Sequence, residues 1–192
     1  MRADGRRPEE DAMIDLKPAC HTMIELLADV SDELLGRPTP CAEYTVADLV
    51  DHIVESARGF IELAGRAAPP PGDRAAQVAE LGEAWADPAA WTGTGGPPQL
   101  RLPNELWGRI ALTEMVVHGW DLAVALGRPF HLPEETLRAC LDHVTAFVPE
   151  APLPELWGSA VDAPATAPLI DRIVAVTGRD PHWTPARAPF LQ

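Results

Sequence analysis

The sequence has few basic residues, and it lacks the features of a nucleic-acid-binding or membrane-bound protein. Its 192 residues include 15 Lys and Arg against 29 Asp and Glu, a formal net charge of −14. Nucleic acids and anionic membrane surfaces attract basic proteins, so this balance disfavours both partners. No apolar run approaches the roughly 20 residues that span a bilayer, and no apolar signal core follows the polar start MRADGRRPEEDAMI. We expect a soluble, cytoplasmic protein.

Cysteine is scarce, and alternating apolar and polar runs of useful length are missing. The three cysteines, Cys20, Cys41 and Cys140, are widely spaced and form no CxxC pair. This pattern indicates neither a disulfide framework nor a zinc knuckle. A nucleophilic cysteine would be expected to have a base nearby, so Cys41 is assigned a structural role. The absence of strand patterns predicts an all-α protein.

Helical periodicity is what the sequence does have. The polar residues 1–12 are expected to form a disordered arm, and residues 13–192 a single domain. Apolar spacing and capping residues predict four helices and a short terminal one. Their expected positions are Asp15–Gly36 with Asp15 as the N-cap, residues 46–64 with Thr45 as the cap, Leu106–Gly127, a fourth helix with Pro133 in its first turn, and a short helix in APLIDRIVAVTG.

The segment 65–103 is rich in proline, glycine and alanine and has only one short predicted helix, from Arg74 to Trp85. Its length suits the long crossover that two parallel neighbouring helices require. Trp85 and Trp91 either pin this segment to the bundle or line a pocket. On the fourth helix, Asp142 and His143 are expected to face solvent.

The candidate site lies in LWGRIALTEMVVHGWDLAVALG, where Glu114 and His118 stand four residues apart in an apolar helix. Residues at this spacing lie one above the other on one helix face, so the two side chains can share a metal ion. Asp121 lies on the same side and could orient the imidazole. A third ligand must come from another helix, and His52 in TVADLVDHIVES is the best candidate. Taken alone, an ExxxH pair is more often an ordinary surface feature.

Two imidazoles and one carboxylate provide only three protein ligands, which is the pattern of a catalytic rather than a structural metal site. Zinc suits this ligand set best, although nickel, iron or manganese would also fit the residue types. A thiol that binds in the open position is deprotonated at neutral pH. The pattern therefore predicts a metal centre that activates a small molecule.

Three segments make the sequence resemble a known family: TPCAEYTVADLVDHI, LTEMVVHGWDLAVALG and the terminal VTGRDPHW. Together they resemble actinobacterial metal-binding proteins of the DinB-like superfamily, in the group similar to the N-terminal domain of mycothiol-dependent maleylpyruvate isomerase. The resemblance implies an up-down-down-up four-helix bundle whose metal is held from the second and third helices. The ligand positions fall on His52, Glu114 and His118. The family commonly has tryptophan at the position of Tyr44.

The resemblance also implies an activity. Its characterised members are thiol-dependent isomerases or transferases that use mycothiol, bacillithiol or a related low-molecular-weight thiol. We therefore expect a metal-dependent S-transferase or isomerase that acts on a small electrophile, as a monomer or homodimer. The alternative is a non-thiol tailoring or ligand-binding protein that uses the bundle cavity, with its metal structural or absent.

Overall fold

The computed structural model describes residues 13–151 and 157–185. The arm expected at residues 1–12 lies outside them. The described part is mostly helical, as the sequence predicts, and a two-stranded antiparallel ribbon is its only sheet. Its helices are α1 Lys17–Ala28, α2 Val46–Leu63, α3 Arg74–Ala84, α4 Asn104–Leu126, α5 Glu134–Phe147 and α6 Leu169–Val176, and its strands are β1 Thr94–Gly95 and β2 Leu102–Pro103. Among the described helices, none combines the length and the apolar character needed to cross a bilayer.

The helix ends follow the local sequence, with one exception. Thr45 and Asp48 form a reciprocal capping box at the start of α2, and Gly127 ends α4 with a φ of 70°. The exception is α1, whose N-cap is Leu16 rather than the predicted Asp15, and which ends at Ala28 before a separate 3₁₀ turn at Asp32–Leu34. Serine and aspartate side chains compete for backbone hydrogen bonds and disfavour a helix interior, which explains why the helix does not continue to Gly36.

The bundle consists of α1 to α4. Helices α1 and α2 each pack against both α3 and α4. His52 meets Glu114 while Phe60 meets Trp107, so α2 and α4 run antiparallel. Arg74 lies near Asp51, and the Trp85 indole binds the Phe60 carbonyl, so α3 runs parallel to α2.

The position of α3 corrects one expectation from the sequence. The sequence predicts the helix from Arg74 to Trp85 as part of the crossover, but the observed helix Arg74–Ala84 is the third helix of the bundle. The crossover between parallel neighbours is therefore only residues 64–73. The long helix α4 becomes the fourth member, and α5 packs on its outer side. The alanine-rich sequence of α3 has only a weak apolar pattern, so the sequence does not predict that this short helix belongs to the bundle.

The two tryptophans of the connecting segment hold that segment against the bundle. The Trp85 indole N–H donates to the Phe60 carbonyl at 3.1 Å, and the Trp91 indole N–H donates to the Trp85 carbonyl at 2.8 Å. Their rings meet edge to face with centroids 5.3 Å apart. Both rings lie over Gly108 of α4. Of the two roles left open by the sequence, packing is the one that the structure shows.

We expect Gly108→Ala to destabilise the fold. A Cβ atom at Gly108 would lie 2.8 Å from atoms of Trp85 and Trp91, which is closer than packed carbon atoms approach. The free energy of unfolding should fall by about 1–3 kcal/mol, measured by urea denaturation. Gly59→Ala in α2 is the matched control, because nothing lies within 4 Å of its Cβ position. It should leave stability unchanged or raise it by up to about 1 kcal/mol. Equal effects of the two variants would contradict the packing account.

His143 departs from the expectation that it faces solvent. Asp142 is exposed as expected, but His143 is buried at 5% exposure, and its ring stacks on Phe147 with centroids 5.0 Å apart. Burial, and then the charge of Arg109, lowers the pKa of His143 to about 4. The packing of α5 against α4 places this side chain in the interior. The apolar pattern of α5 alone does not predict that burial.

The low pKa of His143 should make the fold less stable in acid. An unfolded histidine has a pKa near 6.5, so below that pH the unfolded chain binds more protons than the native one. Stability is thus retained above about pH 6.5 and lost as the pH falls towards 4. At pH 5 the loss from this residue should be about 2 kcal/mol relative to pH 7.5. Urea denaturation of the wild type and of His143→Gln at both pH values isolates the contribution of His143 to this loss of stability. An equal pH dependence in the two proteins would show that His143 does not contribute.

Candidate metal centre

Helices α2 and α4 bring the three predicted site residues together. Nε2 of His52 lies 3.2 Å from Oε2 of Glu114, and Nε2 of His118 lies 3.3 Å from the same oxygen. The two imidazole rings meet edge to face, with centroids 4.8 Å apart. One donor atom from each of the three residues lies within 4.8 Å of the others. Residues 62 positions apart in the chain thus converge because the two helices are antiparallel.

These distances fit a metal ion. Donor atoms that bind zinc at 2.0–2.1 Å in a tetrahedron lie about 3.3–3.4 Å from one another. Both contacts to Glu114 are close to that spacing. Imidazole nitrogen and carboxylate oxygen are also donors that zinc, iron and nickel accept. The group of His52, Glu114 and His118 could therefore hold a divalent ion.

A buried network supports His118 from behind. Its Nδ1–H donates to Oδ2 of Asp121 at 3.0 Å, so Nε2 is the ring nitrogen left for a metal. Asp121 is fully buried and also accepts from the Arg179 guanidinium, whose Nη2 is 3.1 Å from Oδ2. Arg179 is held in turn by the Thr177 carbonyl at 2.8 Å. Asp121 thus has the orienting role that its spacing predicts.

Arg179 is the site residue that sequence reasoning missed. It lies in the terminal motif VTGRDPHW, and no sequence spacing relates it to α4, because 58 residues separate it from Asp121. Its burial, at 8% exposure, is the feature that marks it, since an arginine is almost never fully buried without a partner.

The charges of the network reinforce one another. Burial by itself would raise the pKa of Glu114, but the charges and hydrogen bonds of His118 and His52 hold that pKa well below its usual range. Burial would lower the pKa of His118, but Glu114 and Asp121 raise it to about 9. Glu114 therefore stays a carboxylate throughout the neutral range, whereas a metal that bound Nε2 of His118 would have to displace a proton from it.

The three residues line a cavity of about 300 Å³. At the end near the metal group, its wall is formed by polar side chains that include Tyr44, Ser56, Cys41 and Arg179. Burial raises the pKa of the Cys41 thiol, which agrees with the structural role assigned to it. Elsewhere the wall is mostly apolar, and it contains Phe60, Leu100, Leu102, Trp107, Ile110, Phe147, Ala151 and Trp157.

A family model called the mycothiol maleylpyruvate isomerase N-terminal domain matches residues 16–80 and 72–123. These residues contain α1 to α3 and most of α4, including all three members of the metal group. The chain belongs to this family. The mycothiol maleylpyruvate isomerase N-terminal domain family is also the one whose motifs the sequence resembles, so the predicted DinB-like helical bundle is confirmed.

Two uncharacterized proteins of Mycobacterium tuberculosis are similar to this family member. MT0763 of strain CDC 1551 / Oshkosh and Rv0738 of strain ATCC 25618 / H37Rv are each 30% identical to it over 167 residues, which cover 80% of this chain and 90% of the relative. No solved structure matches the chain at a significant level. The relatives thus support the family and give no activity.

Replacing Arg179 should show how much the fold depends on its buried ion pair. Arg179→Met leaves the Asp121 carboxylate buried without its guanidinium partner, which should lower the free energy of unfolding by about 3–5 kcal/mol. Arg138→Met is the matched control, because Arg138 pairs with Glu134 on the exposed surface of α5. That change should cost at most about 1 kcal/mol. Urea denaturation measures both, and a loss below 1 kcal/mol for Arg179→Met would refute the buried pairing.

Proposed function

We propose that this protein is a divalent-metal-dependent enzyme that uses a low-molecular-weight thiol for S-transfer to, or isomerisation of, a small electrophilic substrate. His52, Glu114 and His118 are the proposed metal ligands, and zinc is the proposed metal. The observation that carries the proposal is their convergence at one end of a cavity, with contacts of 3.2 and 3.3 Å to a single carboxylate oxygen. Membership of the family supports the choice of a thiol.

The residues of the chain prepare the site for this chemistry. A divalent ion held there would lower the pKa of a thiol so that its thiolate forms at neutral pH. Asp121 fixes the His118 ring by accepting from Nδ1, and Arg179 fixes Asp121.

Two reactions are compatible with a thiolate in this cavity. In S-transfer, sulfur forms a bond to an electrophilic carbon, and the leaving group departs with its electron pair. In isomerisation, sulfur adds to a cis double bond conjugated to a carbonyl, and the electron pair moves onto the carbonyl oxygen. Rotation about the new single bond is followed by elimination, which restores the double bond as trans and releases the thiolate.

Measurement of the metal content tests whether the three proposed ligands bind a metal. Protein purified without an affinity tag should contain close to one equivalent of a divalent metal, measured by mass spectrometry. His52→Ala, Glu114→Ala and His118→Ala should each lose it, because two remaining ligands bind a metal far more weakly than three. His21→Ala is the matched control, since His21 is exposed on α1 and pairs with Glu25 of the same helix.

Two outcomes would contradict the proposal. One is wild-type protein that stays free of metal after reconstitution with zinc, nickel, iron and manganese in turn. The other is metal retained by all three alanine variants. A folded control with full metal content and a folded, metal-free Glu114→Ala variant would instead justify screening thiols and electrophiles.

A second candidate function is ligand binding without thiol chemistry. The mostly apolar wall of the cavity favours it, because such walls bind small apolar molecules by burial alone. In that role the metal would be structural or absent. A metal-free protein in the metal analysis above would favour this second function.

A further inference from the structure

We propose that the cavity selects a substrate with an uncharged hydrocarbon body and a single anionic head, and that it rejects molecules charged at both ends. The inference rests on the proposed function only in placing the head beside the metal group. It assigns a substrate class from the distribution of polar and apolar atoms along the cavity.

The cavity-lining residues of α2 and α4 change from polar to apolar in the same direction along the cavity. On α4, His118 and Glu114 lie at one end of the wall, and Ile110 and Trp107 follow towards the other. On α2, His52 and Ser56 face the first pair, with Ser56 Oγ 3.4 Å from His52 Nε2. Because the helices are antiparallel, polar residues meet polar residues, and apolar residues meet apolar ones.

Phe60 and Trp107 close the apolar end, with ring centroids 6.3 Å apart. The indole N–H of Trp107 is already bonded to the Gly95 carbonyl at 3.1 Å, so it does not offer a free donor to a ligand. Leu100, Leu102, Ile110 and Ala151 are the aliphatic residues among the described part of the wall. A charged group here would lose its hydration and gain no partner, which costs several kcal/mol.

Among the described lining residues, the charged side chains Glu114 and Arg179 and the imidazoles of His52 and His118 all lie at the polar end of the cavity. Arg179 uses three of its five N–H groups on Asp121 and Thr177, so it retains donors for an anionic head. A ligand can therefore satisfy one anionic group and must leave the rest of its body uncharged.

Carboxylates of different length and charge test this selection directly. Butanoate, hexanoate and octanoate, and the dianion hexanedioate, are titrated into the full chain, both as purified and after chelation of metals. Binding is followed by NMR of isoleucine methyl groups. The Ile110 methyl should shift, and Ile24, which lies on α1 outside the cavity wall, should not. Affinity should rise about fourfold for each added methylene until the cavity is filled.

The matched pair of hexanoate and hexanedioate isolates the effect of the second charge. Hexanedioate should bind at least tenfold more weakly, since its far carboxylate would be buried beside Phe60 and Trp107. Ile110→Ser should lower octanoate affinity by about tenfold through lost apolar contact. Ile24→Ser is the matched control and should leave octanoate affinity unchanged.

Several results would overturn the proposal: affinity independent of chain length, hexanedioate bound as tightly as hexanoate, or no shift at Ile110. Each can be read in the wild type, so the proposal does not depend on how Ile110→Ser folds. The chelated sample gives the same reading whether or not the protein binds metal. A chain that binds octanoate but no metal would support this selectivity while contradicting the proposed enzymatic function.

Discussion

The contact of one half-buried carboxylate with two imidazoles across α2 and α4 is the constraint on which the site depends. Glu114 contacts both His52 and His118, and His118 is backed by Asp121 and Arg179. Buried charges are tolerated only when each is paired. The network meets this condition by linking two helices to the segment after α6, so the register of α2 against α4 and the position of that segment are fixed together.

The packing of the rest of the bundle follows from the need to bury the apolar surface of α4. This helix is apolar on most of its circumference because α1, α2 and α5 all pack against it. Such burial requires neighbouring side chains to lie directly against the backbone of α4 at two glycines. Trp85 and Trp91 contact Gly108, and Phe130 contacts Gly119. Buried tryptophans therefore lie beside glycine, and the connecting segment between α3 and α4 is held firmly despite its content of proline and glycine.

Much of this could be predicted from local sequence, and the errors have physical causes. The pairing of Glu114 with His118 follows from helix geometry, and the apolar setting of His52 was enough to select it as their partner. The role of α3 could not be predicted, because an alanine-rich helix buries little surface per residue and has a faint apolar stripe. The burial of Arg179 and His143 could not be predicted, because contacts with α4 bury both side chains. The residues next to them in the sequence give no sign of those contacts.

The order in which the chain is made adds a consequence to the pairing of Asp121 with Arg179. The helices α1 to α4 are translated first, and Arg179 follows Asp121 by 58 residues. At synthesis rates of about 5–20 residues per second, roughly 3–12 s pass between the two residues. The three donors His52, Glu114 and His118 are thus synthesised before the arginine that pairs with Asp121.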